Sequence, residues 1–330
     1  MKIPLPRIFA TLGACLCCLF SPASLADAPY KVAILLFDEV QIIDFAAPYE
    51  VFGQADYEVF TVSKDGKTVT TAMSLSVNPD YSFANIPDTD AILVPGGDVH
   101  TVMQDEDVQA WLIAMQKKSE HILSVCTGAH ILAQSGLLKG KAATTFHRAL
   151  DSFERDYPDI TVKRAQRFVD NGQIITSAGL SSGIDAALHL VSEVSGMNKA
   201  RTVAMHIEYD WQPESGFVRA TMADQFYPNN HYNWPEGIKF DQLYSFGDES
   251  NWTMAFSVKT HASANELKAV YSKAMAAHGN WQSQESSDPT RMIWQGSGDR
   301  QGWTHEASLS HAGDDDNSDY AIALSMHRAD

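Results

Sequence analysis

The chain has 330 residues, 45% of them hydrophobic, and a formal net charge of −17. That is enough apolar content for a sizeable core and two domains. The acidity and the lack of any basic stripe argue against nucleic acid as a partner.

Residues 1–26 read as an export signal rather than as fold. Lys2 and Arg7 form a positive start, residues 8–20 a short apolar region, and Ser24-Leu25-Ala26 a cleavage site. The apolar run is too short for an ordinary transmembrane helix, and no later segment is apolar enough to span a membrane. Leu12-Gly13-Ala14-Cys15 also resembles a lipobox, which would make a lipoprotein. The apolar stretch runs on past Cys15, which favours soluble export to the periplasm. Cys15, Cys17 and Cys18 lie in this leader, so Cys126 is expected to be the single thiol of the mature chain. A lone thiol in an exported protein forms no internal disulfide and needs a reason to be kept.

Residues 31–37 (KVAILLF) form a near-continuous apolar run, as in a central parallel strand. Residues 38–44 read as a loop and 46–54 as a short helix with Pro48 near its start. Strands follow at 57–62 and 91–94, with a short hairpin or extension across 69–77. The strand at 91–94 runs straight into Pro95-Gly96-Gly97, and 105–118 is an amphipathic helix. Residues 122–125 then form another buried strand. Beyond it, 142–145 reads as a short strand and 148–156 as a helix. Segments 161–169 and 173–177 flank Asn171-Gly172, a hairpin turn signal. Residues 181–195 form a helix capped by Ser181 or Ser182 with Asp185 in its first turn, and 198–211 a last helix. Alternating strands and helices predict an α/β domain over 27–211, a doubly wound, mostly parallel sheet of flavodoxin-like type.

From 212 the character changes. Residues 212–245 are rich in Pro, Asn, Tyr and Trp without periodicity and read as a linker. Residues 246–330 predict a small α+β domain: strands at 251–259, 291–295, 303–310 and 320–326, and one helix at 263–278 with Leu267, Val270, Tyr271 and Ala274 on one face. Asp314-Asp315-Asp316 reads as a solvated loop.

The stretch 121–147 carries the chemistry. Cys126 stands at a sharp turn between the strand at 122–125 and a helix opening at Gly128, with Gly136 just past its end. Strand, turn with a nucleophile, then helix is a nucleophile elbow. A helix N-terminus supplies partial positive charge and unpaired N–H groups, which predicts a lowered thiol pKa and stabilisation of an oxyanion beside the sulfur. Asp44, Gly96-Gly97 and Cys126 all follow strand ends, where sites of such sheets lie.

These motifs resemble the ThiJ/PfpI superfamily, whose fold is like that of class I glutamine amidotransferases. The resemblance covers about residues 30–211 and is nearest to the subgroup holding isonitrile hydratase and the amidase-like domain of AraC-type regulators. It rests on 43–48 (IDFAAP), 94–97 (VPGG), 125–129 (VCTGA), 136–140 (GLLKG), 143–147 (ATTFH), 175–179 (ITSAG) and 183–185 (GID). It implies Cys126 as nucleophile, Asp44 as the acid beside it, and an oxyanion site from the N–H groups of Gly97 and Thr127, with Gly96 allowing close backbone approach and the Thr127 hydroxyl touching substrate. A carboxyl facing a thiolate should have a raised pKa and so donate a proton near neutrality. It also implies a homodimer.

Three departures matter. Many members of the superfamily place His after the cysteine, where this chain has Thr127, which weakens a protease-like Cys–His pair. Ser124 replaces the first elbow glycine. An AraC-type regulator would continue into basic helix-turn-helix residues, and this chain continues into an acidic α+β domain. His147 ends the strand at 142–145 and is a candidate catalytic residue, His100 a candidate pocket residue, and His130 a packing residue. No histidine has zinc spacing, so neither a metal nor another cofactor is expected. The expected activity is a cysteine-dependent hydro-lyase or hydrolase acting on a small electrophile, like isonitrile hydration. The alternatives are a non-catalytic periplasmic binder or redox sensor, and a peptidase- or deglycase-like hydrolase.

Overall fold

The computed structural model describes residues 28–213, 218–228, 232–311 and 319–329. The proposed leader, with its lipobox-like Cys15, and Asp314-Asp315-Asp316 lie outside the described residues.

The first unit follows the apolar runs closely. Its strands are β1 (Lys31–Leu35), β2 (Glu58–Ser63), β3 (Ala91–Val94), β4 (His121–Val125), β5 (Phe168–Asp170) and β6 (Ile174–Ser177). They pair in the order β5-β6-β4-β3-β1-β2, with the two-residue strand Tyr81–Ser82 at the far edge. All neighbours are parallel except β5 and β6, joined through the Asn171-Gly172 turn. β3 and β4 are buried at nearly every residue because helices cover both faces. The hairpin expected across 69–77 forms as Val69–Thr70 paired with Ser76–Val77.

The helices are α1 (Ile42–Gln54), α2 (Glu106–Gln116), α3 (Gly128–Gln134), α4 (Leu150–Asp156), α5 (Ser181–Ser195) and α6 (Met197–His206). α2 is capped by Asp105, whose side chain accepts from the Asp107 N–H. α1 differs from expectation in a way that matters. It starts at Ile42, so Asp44 sits in its first turn rather than in the preceding loop, and Pro48 lies inside it. The missing N–H of Pro48 forgoes one helical bond, the one to the Asp44 carbonyl. α5 also differs: neither Ser181 nor Ser182 caps it. Its N-cap is Leu180 with no side-chain cap, and Asp185 instead pairs with Arg167 and accepts from the Tyr209 hydroxyl. Alternation along the chain reverses between β1 and β3. Such a switch point opens a crevice at the carboxyl ends of the strands, and the candidate residues gather there.

The segment 142–145 contributes only Ala142–Ala143, which pairs with Thr161–Val162 in a separate two-stranded ladder rather than in the main sheet. His147 therefore does not end a sheet strand; it opens the 3-10 turn His147–Ala149.

The second unit is one antiparallel sheet with a helix across it. Its elements are β7 (Lys239–Gly247), β8 (Asn251–Lys259), α7 (Ala264–His278), β9 (Trp281–Gln284), β10 (Arg291–Gly296), β11 (Trp303–His311) and β12 (Asp319–Arg328). The strand order is β7-β8-β12-β11-β10-β9. α7 starts in a full capping box, Ser263 with Glu266. The stretch read as a linker is only partly one. Met222, Ala223 and Tyr227 are buried in the second core, and β7 begins at Lys239. At the centre His305 is fully buried, bonded to the Tyr271 hydroxyl and the Ser325 carbonyl at 2.8 Å each and stacked on Trp294. Among the described residues no helix is long and apolar enough to cross a membrane.

Candidate active site

Cys126 follows β4 at φ +59°. A side-chain-bearing residue there costs about 1–2 kcal/mol, and the surroundings hold it in place. Its N–H donates to the Ser177 carbonyl on β6 at 3.1 Å, and the Thr145 hydroxyl donates to its own carbonyl at 2.9 Å. The turn needs glycine on three sides. A Cβ at Gly128 would stand 2.1 Å from the Val94 carbonyl oxygen. One at Gly96 would meet the Thr127 N–H nitrogen at 2.6 Å, and one at Gly179 would reach Cys126 Sγ at 3.0 Å. This is an elbow in the physical sense: a strained nucleophile with backbone packed against it.

Asp44 arrives from α1 and is fully buried. The Leu180 N–H donates to its Oδ1 at 3.0 Å. Leu180 is itself held at φ +52° just ahead of α5, so that strained residue aims an N–H at the carboxylate. Oδ2 has no donor in ordinary hydrogen-bond geometry, although the Cys126 thiol and the Gly96 N–H lie close enough to stabilise the charged carboxylate. Burial nonetheless outweighs these bonds and pushes the Asp44 carboxyl up to about 6. Cys126 is raised as well, by burial first and by the Asp44 charge second; the Thr127 N–H and hydroxyl pull weakly the other way. The thiol is thus held protonated at neutral pH beside an ionised carboxylate, the reverse of the expected free thiolate. A helix end does act on the sulfur through Thr127, but desolvation and a like charge are stronger here.

The expected oxyanion pair is also rearranged. Thr127 supplies its N–H to the sulfur. The Gly97 N–H is already taken: it donates to Thr127 Oγ1 at 2.9 Å, while that hydroxyl donates to the Gly97 carbonyl at 2.9 Å. Gly97 at φ +139° therefore braces Thr127, and both groups are engaged with each other rather than offered to a substrate. Gly96 does what close approach requires.

His147 is not brought to this pair. It is half-buried, its ring lies edge-on to Phe146 at 4.4 Å, and its charged neighbours are Arg219, Arg148 and Asp224. Burial, then Arg219 and Arg148, push it down to about 4. His100 is exposed at the start of a one-turn helix. His130 packs on Phe153 and Tyr157, as expected. Among the described residues no group of three His, Cys, Asp or Glu is placed to hold a metal. Two residues escaped the sequence reading of the site, Gly179 and Leu180. Their signal was present, since Gly179 comes two residues after the end of β6, but what they touch is 53 and more positions away. Gly179 and Leu180 also line a cavity of about 170 Å³ together with Thr145, His147 and Val218; neither Cys126 nor Asp44 lines it.

Gly179→Ala is expected to disturb the nucleophile directly. The new Cβ at φ +109° would stand 2.7 Å from Cys126 Cβ. Loss of about 1–3 kcal/mol of stability and a slowed thiol reaction are expected, read by urea denaturation and by iodoacetamide labelling.

The site is a buried cysteine at an elbow beside a buried carboxylate, at the switch point of a mostly parallel α/β sheet. The chain matches the model of the DJ-1/PfpI family over residues 30–193. It is 36% identical to the isonitrile hydratase of Pseudomonas putida over 181 residues, 54% of this chain and 78% of that protein. It is 26% identical to the HTH-type transcriptional regulator GbdR of Pseudomonas aeruginosa over 190 residues, 55% of this chain but only 51% of the regulator. Among solved structures it resembles a ThiJ/PfpI family protein from Pseudomonas syringae, with 27% identity, a TM-score of 0.52, and coverage of 57% of this chain and 78% of that one. The chain belongs to the DJ-1/PfpI family. The family match ends before the second unit begins.

Proposed function

We propose that the protein is a cysteine-dependent enzyme that adds water to a small electrophile, with isonitriles as the concrete substrate class and formamides as products. The observation that carries this reading is the Asp44–Cys126 pair: a buried thiol on a strained elbow beside a fully buried carboxylate that accepts from the Leu180 N–H, with burial raising both groups. In the first step Asp44 takes the thiol proton as sulfur bonds to the terminal isonitrile carbon, then returns it to that carbon to leave a thioimidate. Water adds across the C=N bond, its hydroxyl to carbon and its proton to nitrogen. Asp44 then relays the hydroxyl proton to sulfur as the C–S bond breaks, releasing the formamide and the neutral thiol. Each transfer uses a base with a pKa near neutrality, where general catalysis is most effective. The similarity to an isonitrile hydratase supports the substrate class.

The test is a panel of alkyl and aryl isonitriles and reactive carbonyls, followed by loss of the N≡C stretch and by formamide signals in NMR. Turnover of isonitriles that disappears in Cys126→Ala supports the reading. No thiol-dependent turnover of any panel member contradicts it and favours a binding role. Export and a homodimer belong to the same proposal. The mass of the mature protein from the envelope fraction and its size in solution test them.

A further inference from the structure

A cavity of about 950 Å³ lies between the two units, lined by His147, Arg148, Leu150, Asp151 and Arg164 of the first and by residues of the second, within the range of small-molecule sites. It lies against α7 and the β7-β8-β12 side of the sheet, and it is larger than the cavity lined by Gly179 and Leu180. Its wall is a continuous aromatic surface. Tyr232 stacks on Trp234 at 5.3 Å and 9°, Trp234 packs on Phe240 at 5.1 Å, and Tyr232 meets Tyr271 at 5.9 Å. Rings fixed against one another in this way offer a flat ligand preformed contact at little ordering cost.

The cation on that wall is Arg300. Its guanidinium lies over the rings of Trp281 and Phe226, at 5.6 and 5.9 Å from their centroids. One nitrogen, Nη1, donates to the Gly279 carbonyl at 3.0 Å; Nε is buried without a hydrogen-bond partner. Among the described residues no carboxylate lies within ion-pairing distance of it, and the adjacent Asp299 carboxylate accepts from Asn280 at 2.7 Å. Three other arginines line this cavity: Arg164 and Arg219 are matched to acids, Asp151 and Asp224, and Arg148 is exposed at the rim. In a chain with a net charge of −17, a half-buried guanidinium left without an acid is an exception. Nε is closed off from the cavity, so an anionic ligand would be met by the Nη groups, through charge-assisted bonds to a guanidinium that has no ion pair.

We propose that this cavity is a binding site for a small aromatic anion, with its rings against Tyr232, Trp234 and Tyr271 and its acidic group on Arg300. The site is independent of the cysteine chemistry, although His147, Arg164 and Arg219 border both cavities.

Two dyes of matched skeleton test this on the full-length protein: 1-anilinonaphthalene-8-sulfonate, and N-phenyl-1-naphthylamine, which lacks the sulfonate. The wild-type protein is expected to bind one sulfonate dye per chain, saturably, at least ten-fold more tightly than the neutral dye. Arg300→Gln should weaken the sulfonate at least ten-fold and leave the neutral dye within two-fold. Met254→Trp, which puts an indole into the cavity, should abolish binding of both, and Cys126→Ala should change neither. The proposal is overturned by absence of saturable binding, by equal wild-type affinity for the two dyes, or by sulfonate binding that survives Met254→Trp. The wild-type comparison decides the charge question even if the Arg300 variant does not fold.

Discussion

Asp44→Asn is expected to make the protein more stable at pH 7, by up to about 3 kcal/mol, while cutting turnover by about 10²–10⁴-fold. Both effects come from one buried carboxylate. Its pKa is raised from 3.8 unfolded to about 6 folded, so the folded protein binds that proton more tightly than the unfolded chain. The stabilising contribution is therefore fully present below about 3.8 and is lost as pH rises through about 6. At neutral pH the ionised carboxylate is a net cost, and Asn removes it while its amide oxygen still accepts from the Leu180 N–H. The gain over wild type should shrink as the pH is lowered through 6 and be mostly gone near 4. Urea denaturation of both proteins across that range checks the sign. A carboxylate kept at this cost is the usual trade of stability for function.

Cys126→Ala is expected to abolish turnover, by at least about 10⁴-fold, with stability changed by less than about 1 kcal/mol. The small stability effect follows from what remains. Alanine keeps the backbone at φ +59°, with the bonds from the Cys126 N–H to Ser177 and from Thr145 to the Cys126 carbonyl unchanged. Only the sulfur is lost, together with the charge repulsion it would suffer on ionisation. Single-turnover assays and thermal unfolding of the variant separate the two effects. The protein should also retain the fold around Asp44, since Leu180, not Cys126, makes its short bond.

Much of the architecture can be read from residue order. Residues 91–94 form a strand at the bounds the sequence predicts, as do 251–259, because continuous or alternating apolar runs have few other ways to be buried. Ser263 with Glu266 marks the start of α7 for a similar local reason. The two strands that escape notice, β7 and β9, are the two edges of the second sheet. Both are largely exposed, so neither carries a period-two apolar pattern, and their order comes from backbone pairing with a neighbour. The start of α1 is missed because Pro48 suggests a first turn, whereas the structure accepts it inside the helix.

At the site, identity was legible and electrostatics was not. Cys126 and Gly96 can be named from strand ends and turn chemistry, and Asp44 from the family resemblance; the structure sets Asp44 in the first turn of α1, beside Cys126. The ionisation state cannot be named this way, since it depends on how deeply the crevice is buried and on a charge 82 positions away in sequence. A reading based on the helix end alone therefore gives the wrong direction for the thiol. The bond between Gly97 and Thr127 belongs to the same class: it is set by packing between two turns, and it engages the Gly97 N–H of the expected oxyanion site and the Thr127 hydroxyl expected to touch substrate. His147 was drawn toward the site by its position in a motif, yet the 3-10 turn carries it to the wall shared with Arg219.

The central claim is that Cys126 and Asp44 act as one proton-sharing pair. The most direct measurement is the pH dependence of Cys126 alkylation by iodoacetamide, in wild type and in Asp44→Asn. For a coupled pair the singly ionised form reacts first, so the wild-type rate should rise through about pH 6 as Asp44 ionises, and rise again at higher pH as the thiol itself ionises. The step near 6 should be missing in Asp44→Asn, which should show a single ionisation. A single ionisation near the ordinary thiol value of about 8.5, identical in the two proteins, would contradict the account.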